Sequence, residues 1–233
     1  MKHNLSFSSA IIWSSILSAL AFFILSSVAM YYYPGGTIHE RVGEGYDFWN
    51  NYFSDLGRTR SWNGLDNARS NSLFQSSLTL VGVGLSLFFL VLPGLFKKAE
   101  ARFFIAIAAV TGLIAAWCYL GIAWTPLDVN YRMHTLYVRS GFIAFLMMSL
   151  FYTIAIQNEP TYPNRYANAF ILFSVILFIQ VFIMLFGPRS WSSLEALRLQ
   201  ATAQKIVVYA EILCMLYQSY GALQVLRMQK ENG

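Results

Sequence analysis

Six long apolar runs dominate the pattern along the chain, and shorter polar stretches separate them. The runs cover about residues 9–32, 72–96, 103–124, 137–156, 167–186 and 205–225. Each is close to the ~20 residues that a helix needs to cross a ~30 Å hydrocarbon core. The runs are continuous rather than alternating, and backbone groups in lipid must be satisfied within their own segment, which favours helices over strands. The pattern predicts an all-α integral membrane protein, with six transmembrane helices bundled in a single polytopic domain over residues 1–233.

Composition agrees with a membrane protein and excludes an ordinary soluble domain. Hydrophobic residues make up 57% of the chain and charged residues only 12%, whereas soluble domains average about 25% charged residues. The net charge of +5, from 16 basic and 11 acidic residues, indicates anchoring at membrane surfaces. We therefore expect membrane lipids as partners and no nucleic acid. Both cysteines lie within apolar runs, so we predict no metal site and no cofactor.

The first apolar run has two interpretations. Lys2 precedes it, and Ser27, Val28 and Ala29 resemble a cleavage site, as in a secretory signal peptide. The run is longer than the ~15-residue apolar region of signal peptides, which favours a retained signal anchor.

Charges at the ends of the runs bear on orientation. Lysine and arginine are nearly balanced between the two sides, but Lys97, Lys98, Arg227 and Lys230 lie in a short link or at the C-terminus. Such charges usually stay in the cytoplasm. Six crossings place both termini on one side, so we predict a multi-pass plasma-membrane protein with both termini in the cytoplasm.

The first long link contains an unusually aromatic stretch, "DFWNNYFSDLG", from Asp47 to Gly57. At helical spacing, its apolar and polar side chains separate onto two faces. The apolar face holds Phe48, Trp49, Tyr52, Phe53 and Leu56, and the polar face holds Asp47, Asn51, Ser54, Asp55 and Arg58. We predict an amphipathic helix lying at the membrane interface. It is either a simple anchor or a lid over a polar site.

Glu211 is the clearest ionisable residue inside a predicted span. Gln204 and Gln218 lie seven residues to either side, so the three share one stripe of the last helix. An acid in a membrane helix usually faces the bundle interior and marks a functional site. The alternative is that Glu211 is paired or protonated and strengthens helix packing through interhelical hydrogen bonds.

Polar residues also begin the second and fourth helices. Asn71 and Gln75 open the second span with amides that need several hydrogen-bond partners. In the third link, Pro126 is expected to end one helix, and Asp128 or Asn130 to cap the next.

The fourth helix then carries Arg132, His134 and Arg139 near its start. His134 is the histidine nearest a crossing, and it is either a hydrogen-bonded structural residue or an acid/base group. Arg139 extends to the interface or pairs with an acid such as Glu211 or Asp55.

All these groups lie toward the membrane face away from the termini, whereas the other half of the membrane is almost purely apolar. We predict one polar cavity that opens on that face. The acid/base candidates are Asp55, Asp128, His134 and Glu211. The ligand-binding candidates are Asn51, Ser54, Arg58, Asn71, Gln75, Arg132, Arg139 and Gln180.

Three motifs carry a family resemblance: "NNYFSDLG" before the second helix, "ARSNSLF…G" at its start, and "TPLD…H" between the third and fourth. They resemble a family of small six-helix bacterial and archaeal membrane proteins described only as a domain of unknown function. More remotely, they resemble the eukaryotic DRAM/Frag/Sfk-type membrane proteins. The resemblance covers roughly residues 10–226 and implies importance for Ser54, Asp55, Gly57, Asn71, Pro126, Asp128 and His134. It implies a topology and no chemistry, and Glu211 and Arg139 lie outside its pattern.

Three functions fit these observations. The first is binding of a lipid or another amphiphile in the polar cavity. The second is a membrane-embedded lipid-modifying enzyme, a hydrolase or transferase that uses Asp, His and Glu, with arginines holding a phosphate or carboxylate. The third, a small-solute transporter, lacks the inverted repeats and broken helices common in that class. Since no complete catalytic set can be read from the chain, binding is favoured, and whether the protein is an enzyme stays open.

Overall fold

The computed structural model describes residues 2–231, with side chains from residue 7 onward. Within that range the chain forms six α-helices, each of which is long and apolar enough to cross a membrane. They are α1 (Lys2–Tyr32), α2 (Ala68–Val91), α3 (Ala99–Trp124), α4 (Tyr131–Asn158), α5 (Asn164–Phe186) and α6 (Leu194–Glu231). Short 3-10 segments at Phe53–Gly57 and Leu92–Leu95 follow α1 and α2. The predicted all-α bundle of six membrane-crossing helices is confirmed.

Consecutive helices pack against each other, and α6 closes the bundle against α1. The first, third and fifth links meet at one end of the bundle, which we call the loop end. There the Thr59 hydroxyl donates to Asp128 of the third link at 2.7 Å, and the Tyr52 hydroxyl donates to Ser190 of the fifth link at 2.8 Å. The first described residues of α1, the last of α6 and the other two links lie at the opposite end, the terminal end.

Glycines let the helices approach closely. The face of Gly112 in α3 rests on the ring of Phe89 in α2, and a Cβ there would lie 2.7 Å from that ring. Gly121 meets the ring of Tyr137 in α4 in the same way, at 2.5 Å. Small residues at such crossings let membrane helices gain van der Waals contact, which is a main source of their association in lipid.

Helices α4 and α6 begin earlier than the apolar runs predict. Of the two predicted caps of α4, Asp128 and Asn130, the structure shows Asn130, whose side-chain oxygen accepts from the Met133 amide at 3.1 Å. Helix α6 begins at Leu194 rather than near 205, and the Ser193 hydroxyl accepts from the Ala196 amide at 3.1 Å. Its first three turns are polar on one side, so hydropathy alone does not detect them. The fifth link is correspondingly short, covering 187–193.

The structure corrects the prediction of an amphipathic interfacial helix in the first link. Residues 47–51 form a turn, Tyr52 is extended, and Phe53–Gly57 is a single 3-10 turn. Both faces contribute residues to the interior: Phe53 and Leu56 join the core, and Asn51 and Asp55 are buried as well, whereas Trp49 is exposed. The helical periodicity misleads because side-chain hydrogen bonds, described below, compete with a continuous helix for the backbone groups.

Candidate functional site

A cavity of about 800 Å³ lies at the loop end, lined by the first and fifth links, α4, α5 and α6. Nearer the terminal end, α4 and α5 touch: the hydroxyls of Ser149 and Ser174 are 2.8 Å apart, and their neighbours Phe145 and Phe173 pack edge to face. Toward the loop end, Phe142 of α4 and Gln180 of α5 line the cavity instead. The cavity therefore lies on the loop-end side of this contact between the two helices.

Asp55 lines the cavity but is only 1% exposed. Its Oδ2 accepts from the Asn51 side chain at 3.0 Å and from the Tyr52 amide at 2.9 Å. Its Oδ1 accepts from Nε1 of Trp62 at 2.8 Å. Burial raises the pKa of Asp55 above its ordinary value, and these hydrogen bonds only partly oppose it. Since both oxygens are engaged within the first link, Asp55 stabilises the fold of that link at the wall of the cavity.

His134 lies in the first turns of α4 and also lines the cavity. Its Nδ1 is 2.6 Å from the carbonyl oxygen of Thr125. A carbonyl can only accept, so Nδ1 carries the proton, and in the neutral ring Nε2 is an acceptor. Nε2 is buried and has no hydrogen-bond partner among the described residues. The hydrogen bond to Thr125 therefore fixes the tautomer of His134 with the proton on Nδ1. Its Nε2 remains in the cavity wall as an acceptor without a donor from the residues that the structure describes.

Gln180 supplies a second unused acceptor. It lies on α5, is 4% exposed and lines the same cavity. Its Oε1 finds no hydrogen-bond partner within residues 2–231. Buried polar atoms without partners are uncommon in folded proteins, because each loses its bonds to water without replacing them.

Three arginines give the cavity lining a positive charge: Arg58 in the first link, Arg139 on α4 and Arg189 in the fifth link. The guanidinium of Arg58 lies 3.7 Å from the ring centre of Trp62, and that of Arg189 lies 5.4 Å from Trp191. Stacking of this kind holds a guanidinium in place without neutralising it. Both tryptophans line the cavity as well.

A smaller cavity of about 50 Å³ adjoins the first and reaches Glu211 on α6. The two cavities share Ser54, Val138, Phe142 and Gln204 in their walls. The hydroxyl of Tyr119 on α3 donates to Oε1 of Glu211, while Oε2 is buried and unpartnered in the described part of the chain. Glu211 thus ties α3 to α6 and faces a chamber that is otherwise mostly aromatic and aliphatic.

Asp128 binds the third link to the first. Its carboxylate accepts from the amides of Thr59 and Arg60, each at 3.0 Å, and from the Thr59 hydroxyl at 2.7 Å. Partial desolvation raises the pKa of Asp128, but the hydrogen bonds together outweigh it, so the pKa lies below its ordinary value. A carboxylate satisfied in this way acts as a clamp between two loops.

The two asparagines proposed as ligand-binding residues stabilise the first link. Asn71, in the first turn of α2, donates to the Gly57 carbonyl at 2.7 Å. The side chain of Asn51 donates to the Gly36 carbonyl at 2.9 Å and accepts from the Asp47 amide at 2.9 Å. The exposed Arg132 and the half-buried Gln75 make no such contact with the link.

The predicted site residues therefore separate into three groups. Those that line the larger cavity are Ser54, Asp55, Arg58, His134, Arg139 and Gln180. Glu211 lines the smaller one, whereas Asn51, Asn71, Gln75, Asp128 and Arg132 line neither. The four acid/base candidates do not hydrogen-bond to one another within residues 7–231. In that same part of the chain, no group of three His, Cys, Asp or Glu side chains could hold a metal ion.

Sequence reasoning missed Lys205, which is 2% exposed on α6. Its Nζ donates to the backbone carbonyl of Asn51 and lies 5.2 Å from the ring centre of Phe48. Lys205 thus holds the first link against α6. The adjacent Gln204 accepts from the Phe53 amide at 3.0 Å. The signal was present in the helix-forming sequence of 194–204, which brings both residues into a helix that faces the link.

The fold and this cavity define the class: a multi-pass helical membrane protein with a polar cavity at one end of the bundle. Residues 26–216 match the family described as "Protein of unknown function (DUF998)". The chain belongs to that family, which confirms the predicted membrane domain of unknown function. Searches of curated proteins and of solved structures returned no match. The remote resemblance to DRAM/Frag/Sfk-type proteins stays a prediction.

Proposed function

We propose that this protein binds a membrane lipid or another amphiphile in the larger cavity. The observation that supports this most directly is the mixed lining. Arg58, Arg139 and Trp62 border the cavity with polar and aromatic groups, and Phe142 and Met184 border it with apolar ones. A volume of about 800 Å³ falls within the ~300–1,000 Å³ range of ligand pockets. A charged headgroup and the first part of an acyl chain need both kinds of group.

Access from the side of the bundle is part of the proposal. Arg139 on α4 and Leu185 on α5 both line the cavity and are exposed. A lipid would enter between these helices from the leaflet at the loop end, with its headgroup near the arginines.

Binding is favoured over catalysis because the acid/base candidates have separate tasks. Asp55 and Asp128 use their oxygens to hold links together, and Glu211 pairs with Tyr119 in the adjoining chamber. A lipid-modifying hydrolase or transferase would instead need an acid and a base within reach of the same bond. Such an enzyme and a small-solute transporter are the alternatives that the test below addresses.

A blocking substitution tests the proposal. Thr135 on α4 lines the cavity, and the next residue, Leu136, is 53% exposed on the outside of the same helix. We expect Thr135→Trp to reduce the lipid that co-purifies with the protein in mild detergent, measured by mass spectrometry. Leu136→Trp, the matched control, should retain it. Equal retention by both variants would contradict binding in this cavity, and a chemically altered lipid would favour the enzyme.

The proposal places the protein in the plasma membrane with both termini in the cytoplasm. Support comes from Lys97 and Lys98 in a short link at the terminal end. In a protein with Cys118→Ser and Cys214→Ser, a membrane-impermeant maleimide should label Glu44→Cys on intact cells. It should label Lys97→Cys only after permeabilisation. The reverse pattern would invert the orientation.

A further inference from the structure

We infer that the ligand of the larger cavity is an anionic phosphodiester lipid whose headgroup carries free hydroxyl groups. The inference rests on the proposed function and specifies its ligand. Two features of the lining carry it: arginines without acidic partners, and buried hydrogen-bond acceptors without donors.

The arginines indicate an anion. Among the described residues, a salt bridge with an N–O distance of at most 4.0 Å joins only Lys98 and Glu100, at the terminal end. None of the three arginines that line the cavity therefore pairs with a carboxylate. Asp55 lines the cavity, but its oxygens are occupied by Asn51, Tyr52 and Trp62. Guanidinium groups bind phosphate through paired N–H donors. The cavity therefore offers charge complementarity to a phosphate.

The unused acceptors indicate hydroxyl groups. Nε2 of His134 and Oε1 of Gln180 are both buried, line the cavity and lack a partner among residues 7–231. An ionised phosphodiester has no hydrogen to donate, so a phosphate alone cannot satisfy them. An ammonium headgroup could donate, but it would lie among three arginines of the same charge. A neutral hydroxyl donates to either acceptor without that repulsion.

These groups line one cavity. His134 and Arg139 lie five residues apart on α4, and Gln180 lines the same cavity from α5. Arg58 approaches from the first link. A headgroup held between the links would therefore meet positive charge and acceptors together, while its acyl chains leave between α4 and α5.

Lipid discrimination tests the inference. Purified protein is mixed with micelles of phosphatidylglycerol, phosphatidylmethanol or phosphatidylcholine, and retained lipid is counted by native mass spectrometry. The first two carry the same diester charge, and only phosphatidylglycerol has headgroup hydroxyls. We expect phosphatidylglycerol to bind best and phosphatidylcholine worst. Equal binding of the first two would overturn the hydroxyl assignment, and equal binding of phosphatidylcholine would overturn the anion assignment.

Two pairs of variants assign the preference to the named residues. Gln180→Leu should lower the preference for phosphatidylglycerol over phosphatidylmethanol by about fivefold, the worth of one hydrogen bond, while Gln75→Leu outside the cavity leaves it unchanged. Arg139→Gln should weaken both anionic lipids, while Arg132→Gln on the same helix weakens neither. Equal effects within each pair would overturn the assignment.

Two further outcomes separate this inference from the proposed function. If the unchanged protein retains no lipid, or if Thr135→Trp retains as much lipid as Leu136→Trp, the proposed function itself is wrong. If glycerol 3-phosphate displaces phosphatidylglycerol at millimolar concentration, the site recognises the free headgroup and the lipid assignment is overturned. Failure to displace, with lipid retained, supports a membrane ligand.

Discussion

The indole of Trp62 donates to the buried carboxylate of Asp55 at 2.8 Å, and on its ring faces it meets the guanidinium groups of Arg58 and Arg41, at 3.7 and 4.2 Å from the ring centre. One side chain thus connects the buried acid of the first link to the positive charge of the cavity. Trp62 therefore contributes both to the position of the positive charges and to the folded structure of the first link.

Asp55→Asn is expected to destabilise the protein by about 2 kcal/mol. All three partners of the carboxylate are N–H donors, so the amide nitrogen of asparagine must face one of them. Thermal unfolding in detergent measures the loss, and Glu44→Gln, an exposed change in the same link, is the control. If Asp55→Asn unfolds like the unchanged protein but loses its lipid, Asp55 acts as a ligand-binding residue instead.

The Asp128 clamp is expected to weaken in acid. Its pKa is lower in the folded protein than the ordinary value of 3.8, so the ionised form contributes stability above about pH 4, and that stability is lost as the pH falls through the folded value. The melting temperature of the unchanged protein should exceed that of Asp128→Asn most at neutral pH, and the two should converge in acid once the pH falls below the folded pKa of Asp128. A difference independent of pH would contradict this account.

The effects of substitutions at Tyr119 and Glu211 on the free energy of unfolding are expected to be non-additive. Tyr119→Phe removes the donor from Oε1 and leaves both oxygens of a buried acid unpartnered, which costs about 1–3 kcal/mol. Glu211→Leu leaves the Tyr119 hydroxyl unpartnered in turn. The double variant removes both polar groups, so its loss should be smaller than the sum of the single losses. Additive losses in denaturant unfolding would show that the two residues act independently.

Lys205→Met is expected to loosen the first link without unfolding the bundle. The methionine fills similar space on α6, but it cannot donate to the Asn51 carbonyl as Nζ does. Hydrogen exchange at residues 47–57 should become faster, since opening of a link depends on such local bonds. Lys230→Met, at the exposed end of the same helix, is the control. Unchanged exchange in Lys205→Met would show that the packing of Phe53 and Leu56 holds the link by itself.

The helices can be predicted from the sequence because each apolar run depends only on the properties of its own segment. A segment that crosses lipid must be long, apolar and internally hydrogen-bonded, and this holds wherever the other helices lie. The asparagine cap of α4 is local too, because Asn130 and Met133 are three residues apart. The clustering of polar residues toward one end of the bundle is visible from their positions within the apolar runs. His134, Arg139 and Gln180 all line the cavity at that end.

The role of each polar residue depends on partners that are distant in the sequence, so only the tertiary structure decides it. Asp128 and Asp55 are both acids in loops, yet one clamps a link 69 residues away and the other is buried among its own neighbours. The stretch from Asp47 to Gly57 has helical periodicity, but Lys205 and Gln204 of α6 bind its backbone groups. A tertiary hydrogen bond to a buried amide or carbonyl outweighs a weak local preference, because leaving that group unpartnered away from water costs more free energy.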